Sequence, residues 1–231
     1  MKKIGLIGAM EEEINILKDE MTLKEIVKKA KLDFYVGSLK SADIVIVRSG
    51  IGKVNAAMAT QILVSDFNVD VLINTGVAGG IKPDIKVGDI VISSDTMEYD
   101  IDVTAFGYEP GIIPRMEESI FKADEKLVEL AKKVAKNIVE GRAYVGRIIS
   151  GDKFVSSKEE AKRLGKMFNA YAVEMEGAAI AHVAFLNSIP FVIIRSISDN
   201  ANEEASIDFN TFIEQAAKSS TKIVSEMVKL L

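Results

Sequence analysis

The run from Phe191 to Ile197, FVIIRSI, is apolar on both faces of a strand except at Arg195 and Ser196, and it ends in Ser198-Asp199. A strand with no solvent face must be covered on both sides, the usual condition of a parallel sheet between helices. The same punctuation recurs along the chain. Lys3 to Gly8 is a short apolar run ending in Gly, followed by Met10, Ile14, Leu17 and Met21 at helical spacing. Asp70 to Asn74 runs into Thr75-Gly76-Val77-Ala78-Gly79-Gly80, Val87 to Ser93 and Tyr144 to Ile149 read as further strands, and a strand at Tyr171 leads to a helix from Gly177. Helical spacing returns at Val54, Ala57, Met58, Gln61 and Ile62 between Lys53 and Phe67. It returns again from the Asp124 cap to about Val139, after a capping box of Ser157 and Glu160, and from Asp208, where Phe212, Ile213, Ala216, Ile223, Val224 and Met227 form a stripe. Leu32 to Ser38 and Asp43 to Ser49 flank the turn-like Leu39-Lys40-Ser41-Ala42 and predict a hairpin.

Strands alternating with helices, plus one hairpin, predict an α/β fold: a single three-layer α/β/α domain spanning residues 1–231 around a central mixed sheet. Ser94 to Ile120 has no sustained period, and a loop of that length is expected to serve function or an interface.

Charge and composition narrow the chemistry. With 29 Lys and Arg against 34 Asp and Glu, the net charge of -5 supplies no field for nucleic acid or an anionic membrane, so a small-molecule partner is expected. There is no Cys and one His, His182, which excludes disulfides, thiolate zinc sites and a cysteine nucleophile. Metal catalysis would have to rest on carboxylates alone. The first residues lack the apolar stretch of a signal peptide, and no run reaches the ~18 apolar residues of a membrane span. A soluble, cytoplasmic protein is the expectation.

Acids at the ends of buried strands point into the crevice where α/β sheets place ligands. Glu174, Glu176 and Asp199 are in such positions, and burying them in surroundings as apolar as AYAV and GAAIAHVA is costly without partners. Glu174 and Glu176 share a side if the segment is extended, a parity lost if the helix starts at Glu176. Arg195 reads equally as an ion-pair partner or as a ligand-binding group. Glu11, Glu12 and Glu13 open a helix, where the macrodipole favours acids, and spacing does not say which of them faces the crevice. Gly79-Gly80 is either a turn or a place of close approach to a ligand. Phe154 and Phe209 suit stacking on a flat heterocycle as well as core packing. His182 reads as a structural imidazole. GLIGAM is not a dinucleotide fingerprint and no P-loop occurs, which disfavours redox and nucleotide-triphosphate sites.

Seven segments together carry a resemblance along nearly the whole chain: GAMEEE at 8–13, SGIGKVNAA at 49–57, NTGVAGG at 74–80, DVTAFGYEPG at 102–111, SGDKF at 150–154, VEMEGAAIAHV at 173–183 and RSISDNA at 195–201. The chain resembles the 5'-methylthioadenosine/S-adenosylhomocysteine nucleosidases of the purine nucleoside phosphorylase superfamily. The resemblance implies hydrolysis of the bond joining adenine to the ribose or thioribose ring without metal or cofactor, acting on methylthioadenosine, S-adenosylhomocysteine and 5'-deoxyadenosine, in methionine salvage and removal of S-adenosylhomocysteine.

By the same resemblance, Asp199 is the acid that protonates the imidazole ring of adenine, with Ser198 positioning it. Glu13 activates the water, and Arg195 lies beside that water. Glu176 accepts hydrogen bonds from the ribose hydroxyls while Met175 packs on the sugar. Phe154 stacks on adenine and the Val155 backbone reads its edge. Ile51 and Phe209 line the place of the 5'-substituent, and Val77 and Ala78 belong to the binding set. Val103, Phe106, Tyr108 and Pro114 correspond to residues that enter the neighbouring subunit's pocket, which implies a homodimer. Many relatives have Ser at Val77 and His at Tyr99.

A nucleoside phosphorylase is the nearest alternative, but its Gly-Asp-Pro-x-Arg phosphate loop is absent after both Gly88-Asp89 and Gly151-Asp152. An aminofutalosine or futalosine hydrolase shares the pocket type. A non-catalytic nucleoside-binding module predicts loss of Glu13, Glu176 or Asp199, and all three are present.

Overall fold

The computed structural model describes residues 2–139, 142–202 and 205–231. Ten strands, β1 Lys3–Gly8, β2 Thr22–Lys29, β3 Leu32–Leu39, β4 Ala42–Arg48, β5 Val71–Gly80, β6 Ile90–Glu98, β7 Phe121–Lys122, β8 Ala143–Ser150, β9 Ala170–Glu174 and β10 Phe191–Asp199, join one sheet. Six helices accompany them: α1 Asn15–Glu20, α2 Lys53–Phe67, α3 Glu125–Ile138, α4 Lys158–Phe168, α5 Gly177–Leu186 and α6 Ala205–Val228.

The sheet runs β10-β6-β8-β9-β5-β1-β4-β3-β2, with β7 on β6, and β10 also pairs with β5. Strands β5, β10, β6, β8 and β9 therefore close into a ring, from which β1, β4, β3 and β2 extend as an open wing. Pairing is parallel for β1 with β4 and β5, β5 with β10, β6 with β8 and β8 with β9, and antiparallel elsewhere, so the sheet is mixed as expected. The ring departs from the open sheet that the strand and helix alternation suggests. Its seam is short, only Gly79 opposite Val173 and Gly80 opposite Ala172. A two-residue seam leaves no periodic signal. It does bring the ends of β5, β9 and β10 to one place, because Asp199 also pairs with Gly79.

Helices α2 and α5 pack on one another and over the sheet, and α6 packs on β5 and β10 with α3 beside it. The buried face of α2 is Ala56, Ala59, Thr60, Leu63 and Phe67, two positions along from the stripe read from sequence; Val54 is 79% exposed. Its first part is small, Ala56, Ala59 and Thr60, where α2 packs on α5, and Leu63 lies close to Gly5 of β1, where a Cβ would crowd Leu72 and Leu63. Helix α6 likewise buries Ala216, Ala217, Ser220, Thr221, Ile223, Val224, Met227 and Val228, whereas Phe212 is exposed. It begins at Ala205 rather than Asp208.

Other boundaries moved for local reasons. Strand β2 has almost no buried residue and so no alternation to read, yet tight turns at Ala30-Lys31 and Lys40-Ser41, all with positive φ, bind it to β3 and β3 to β4. Such paired left-handed residues give the twist that two-residue hairpin loops require. The first helix divides into a 3-10 turn over Glu11–Glu13 and α1. Strand β6 starts at Ile90 and, through an irregularity after Ser93, continues to Glu98, so the long loop is shorter than its composition implies and contains a 3-10 turn at Thr104–Phe106. Asp124 caps α3 by accepting from the amides of Lys126 and Leu127 at 3.0 Å. Ser157 accepts from the Glu160 amide at 3.4 Å, while the Glu160 carboxylate pairs with Lys153.

Candidate active site

The glycines of β5 lie within the strand rather than in a turn after it, and the reason is what stands against them. A side chain at Gly76 would overlap the Glu13 carboxylate and press on Arg195 Nη1. Glycine here lets two charged groups approach the backbone. Glu13 is buried at the end of the 3-10 turn; its Oε2 accepts from the amides of Ala9 at 2.7 Å and Met10 at 3.1 Å, and its Oε1 from the Val77 amide at 3.0 Å. Of the three acids left open by sequence, it is the one turned inward. Burial pushes its pKa above the ordinary carboxylate value, against the lowering influence of Arg195 and the three amides. Thr221 of α6 donates to the Glu13 carbonyl at 3.1 Å and fixes the turn from behind.

Glu174 and Glu176 both border one cavity but are held by different partners. β9 stops at Glu174, whose carboxylate receives the amides of Glu176 at 3.0 Å and Gly177 at 2.8 Å, the Ser150 hydroxyl, and Arg195 Nη2 at 2.5 Å. Glu174 thus caps the start of α5 and neutralises the arginine. Arg195 is 1% exposed, donates also to Asn74 Oδ1 at 2.5 Å, and does not line the cavity. The ion-pair alternative for Arg195 is what the geometry displays, although Nη1 stays close to Gly76 and the Glu13 side.

Glu176 follows at the turn into α5 and is held from α2's side. Its Oε1 accepts from the Gly52 amide at 2.8 Å. Burial, then the neighbouring Glu174 charge, push its pKa up to about 8. Between the ordinary 4.5 and about 8 the folded protein holds a proton that the unfolded chain has released. This group's contribution to stability is therefore complete below the unfolded value and is lost as pH rises through that window, by at most ~1.4 kcal/mol per pH unit. Glu176→Gln is expected to flatten that fall: urea midpoints at pH 5 and pH 8 should differ less in the variant than in the wild type, and equal differences would contradict the assignment.

Asp199, at the end of β10, is 2% exposed; its Oδ1 accepts from the Ala201 amide at 2.8 Å and its Oδ2 from the Ser198 hydroxyl at 2.9 Å. Burial raises its pKa above the ordinary value, the direction a proton donor at neutral pH requires.

These acids border one cavity of about 360 Å³. Ile51, Val77, Ala78, Phe154, Met175, Ser198 and Phe209 line it with Glu13, Glu176 and Asp199, as do Glu174 and Gly79. Val155 is buried in a small annex that shares Gly79, Phe154, Met175 and Asp199 with the cavity. Phe154 and Phe209 meet edge to face at 5.8 Å, and Phe154, at 42% exposed, has a free face for a flat ring. Val77 offers no hydroxyl, and its amide goes to Glu13. Tyr99 packs on Phe168, and burial followed by the Asp100 charge pushes its phenol up to about 12. His182 stacks on Phe121 and bonds Glu98, outside the cavity.

Val103, Phe106, Tyr108 and Pro114 do not line this chain's own cavity. Ser206 and Asn210 do, and sequence reading missed them; their signal was the helical spacing of 206 and 210 around Phe209. Asn74 was also missed, although a polar residue closing the apolar run VLIN was visible. No metal-holding cluster of three acidic or histidine side chains occurs among the described residues.

Comparison with known proteins places this geometry. The sequence matches the phosphorylase superfamily over residues 3–229. A 5'-methylthioadenosine/S-adenosylhomocysteine nucleosidase from Exiguobacterium sp. is 46% identical over 230 residues, 99% of this chain and 98% of the relative. The crystal structure of the corresponding nucleosidase from Neisseria meningitidis, in complex with methylthio-immucillin-A, superposes with a TM-score of 0.96 at 44% identity over 100% of both chains. Futalosine hydrolase of Helicobacter pylori superposes with a TM-score of 0.94 at 36% identity, over 100% of this chain and 98% of that one. The chain belongs to the phosphorylase superfamily and, within it, to the 5'-methylthioadenosine/S-adenosylhomocysteine nucleosidases.

Proposed function

We propose that the protein hydrolyses the N-glycosidic bond of 5'-methylthioadenosine, S-adenosylhomocysteine and 5'-deoxyadenosine, releasing adenine and the 5'-substituted ribose. One observation carries the choice of water over phosphate: among the described residues the main cavity is lined by Glu13, Glu174, Glu176 and Asp199 and by no Lys or Arg, Lys153 lying only in the annex beside Phe154 and Val155. A phosphate dianion would meet acids on that lining, whereas a ribosyl group gaining positive charge is stabilised by them.

In this reading Glu13 takes a proton from water as its oxygen bonds to C1' of the sugar. The bond from C1' to adenine breaks, and Asp199 delivers its proton to the imidazole ring of the departing base. Glu176 accepts from the ribose hydroxyls, Met175 covers the sugar, Phe154 stacks on adenine, and the Val155 backbone reads its edge. Ile51 and Phe209 receive the 5'-substituent. Val103, Phe106, Tyr108 and Pro114 of a second copy complete that end, so the active form is a homodimer; the 83% exposure of Phe106 supports a covered position in such an assembly. The joining of all ten strands in one sheet supports residues 1–231 as one domain. Cytoplasmic methionine salvage and removal of S-adenosylhomocysteine are the roles this activity serves.

The test is incubation with 5'-methylthioadenosine, with and without phosphate, alongside sedimentation at the assay concentration. Adenine and free methylthioribose at equal rates in both tubes, from a dimer, are expected. Sugar phosphate formed only with phosphate would mean a phosphorylase, no adenine would overturn both readings, and a fully active monomer would overturn the shared pocket. The likeness to the Helicobacter pylori futalosine hydrolase makes aminofutalosine the second substrate to try.

A further inference from the structure

We infer that Lys53 is a positioning residue: by spanning Glu98 and Asp100 it locks the turn before α2 so that the Gly52 amide holds Glu176 in the cavity. The inference rests on the proposed role of Glu176 at the ribose. Among the described residues the Glu176 carboxylate is caught at one hydrogen-bonded point, the Gly52 amide, whereas Glu174 beside it is held by four residues. With the Glu176 backbone fixed on Glu174, what aims its carboxylate is the Gly52 amide, and so whatever aims Gly52.

Gly52 has φ +96°, a conformation natural to glycine, and its backbone is fixed from the next residue. The Lys53 amide donates to Asp152 Oδ1 at 2.8 Å, and the Asp152 amide donates to Asp100 Oδ2 at 3.0 Å. The Lys53 ammonium closes the circuit by donating to Asp100 Oδ1 at 2.6 Å and Glu98 Oε2 at 2.9 Å, and His182 Nδ1 sits 2.9 Å from Glu98 Oε1 on the far side. The Lys53 side chain thus ties the start of α2 to the end of β6, while its amide ties the same turn to Asp152 just beyond β8. Burial draws the lysine pKa down, but Asp100 and Glu98 outweigh it and hold it above the ordinary value, so the clamp stays charged at neutral pH. None of its members lines the cavity, and Lys53 acts only through Gly52.

The other charged groups facing Glu176 are Glu174 from β9, Arg195 from β10 and Glu13 from the 3-10 turn. Of the groups acting on Glu176, the Gly52 amide is the one the clamp controls, and it lowers the Glu176 pKa. Loosening the clamp should therefore raise the Glu176 midpoint as well as misplace its carboxylate.

The experiment uses Lys53→Met, which keeps the apolar stem, Lys53→Arg as the conservative rescue, and Asp152→Ala, an exposed site that removes the acceptor of the Lys53 amide in case the methionine variant folds poorly. Glutamate side chains carrying 13C at the carboxyl are titrated in the unliganded protein, and kcat and KM are measured with 5'-methylthioadenosine. Lys53→Met and Asp152→Ala are expected to raise the Glu176 midpoint by about half to one unit and to lower kcat/KM about tenfold, the scale of one charge-assisted hydrogen bond. Lys53→Arg should restore most of both. A folded variant with the wild-type midpoint overturns the inference whether or not its activity falls, because a merely structural lysine would leave Glu176 titrating as before. A wild-type protein that releases no adenine sinks the functional reading instead, while the titration still decides the role of Lys53.

Discussion

Asp199→Asn is expected to lower turnover of 5'-methylthioadenosine by about 10² to 10⁴-fold, the usual worth of a positioned general acid, or roughly 3 to 5 kcal/mol of barrier. The substitution is nearly isosteric. The amide oxygen still accepts from the Ala201 amide, and the amide nitrogen still meets the Ser198 hydroxyl, which accepts where it formerly donated. What disappears is a transferable proton. Because burial already holds the Asp199 carboxyl above its ordinary pKa, replacing it with a neutral group should leave thermal stability unchanged or slightly improved. A substrate whose leaving group departs without protonation, such as the 4-nitrophenyl glycoside of 5-thiomethylribose, should lose far less. Equal losses on both substrates would mean that Asp199 acts on the sugar, and near-normal turnover of 5'-methylthioadenosine would remove it from the mechanism altogether.

The parts of this site that sequence made legible are those where a polar residue ends an apolar run. Asp199 closes β10 and Glu174 closes β9, and each is visible because burying a carboxylate in such company is costly without a purpose or a partner. Spacing did not separate Glu174 from Glu176, which only the family resemblance told apart by assigning Glu176 to the sugar; Glu176 at φ −135°, ψ −40° leaves the strand, where period-two parity no longer applies. From spacing Glu13 was one of three acids at a helix start, and only the family resemblance singled it out, because the choice among them is made by contacts with Ala9, Met10 and Val77, of which Val77 is distant in sequence. The closure of the sheet was not legible at all. It depends on the Gly79–Gly80 seam with β9, and a pattern of hydrophobic residues encodes which faces are buried, not which edges meet. Strand β2 fell below notice for the opposite reason: it is nearly all exposed, and backbone pairing alone fixes it to β3.

The largest expected effect on stability falls on the acid that sequence set beside Glu176 and that the structure assigns to support. Glu174→Ala should destabilise the protein by about 3–5 kcal/mol, measured as the free energy of urea unfolding at pH 7. Three losses coincide. Arg195, at 1% exposed, keeps Asn74 as its remaining side-chain partner and becomes an uncompensated buried charge. The amides of Glu176 and Gly177 lose their acceptor at the first turn of α5, and the Ser150 hydroxyl loses the carboxylate to which it donates. Glu174→Gln retains an acceptor but not the charge and should fall between alanine and wild type. The double variant Glu174→Leu with Arg195→Met tests the cause, since replacing both ions with apolar groups removes the unpaired charge that either single change creates. It should recover a substantial part of the stability lost in Glu174→Ala. It should not recover activity, because the turn that aims Glu176 still lacks its anchor. A Glu174→Ala loss below about 1 kcal/mol would show that water reaches Arg195 and that the site is less dry than its geometry implies.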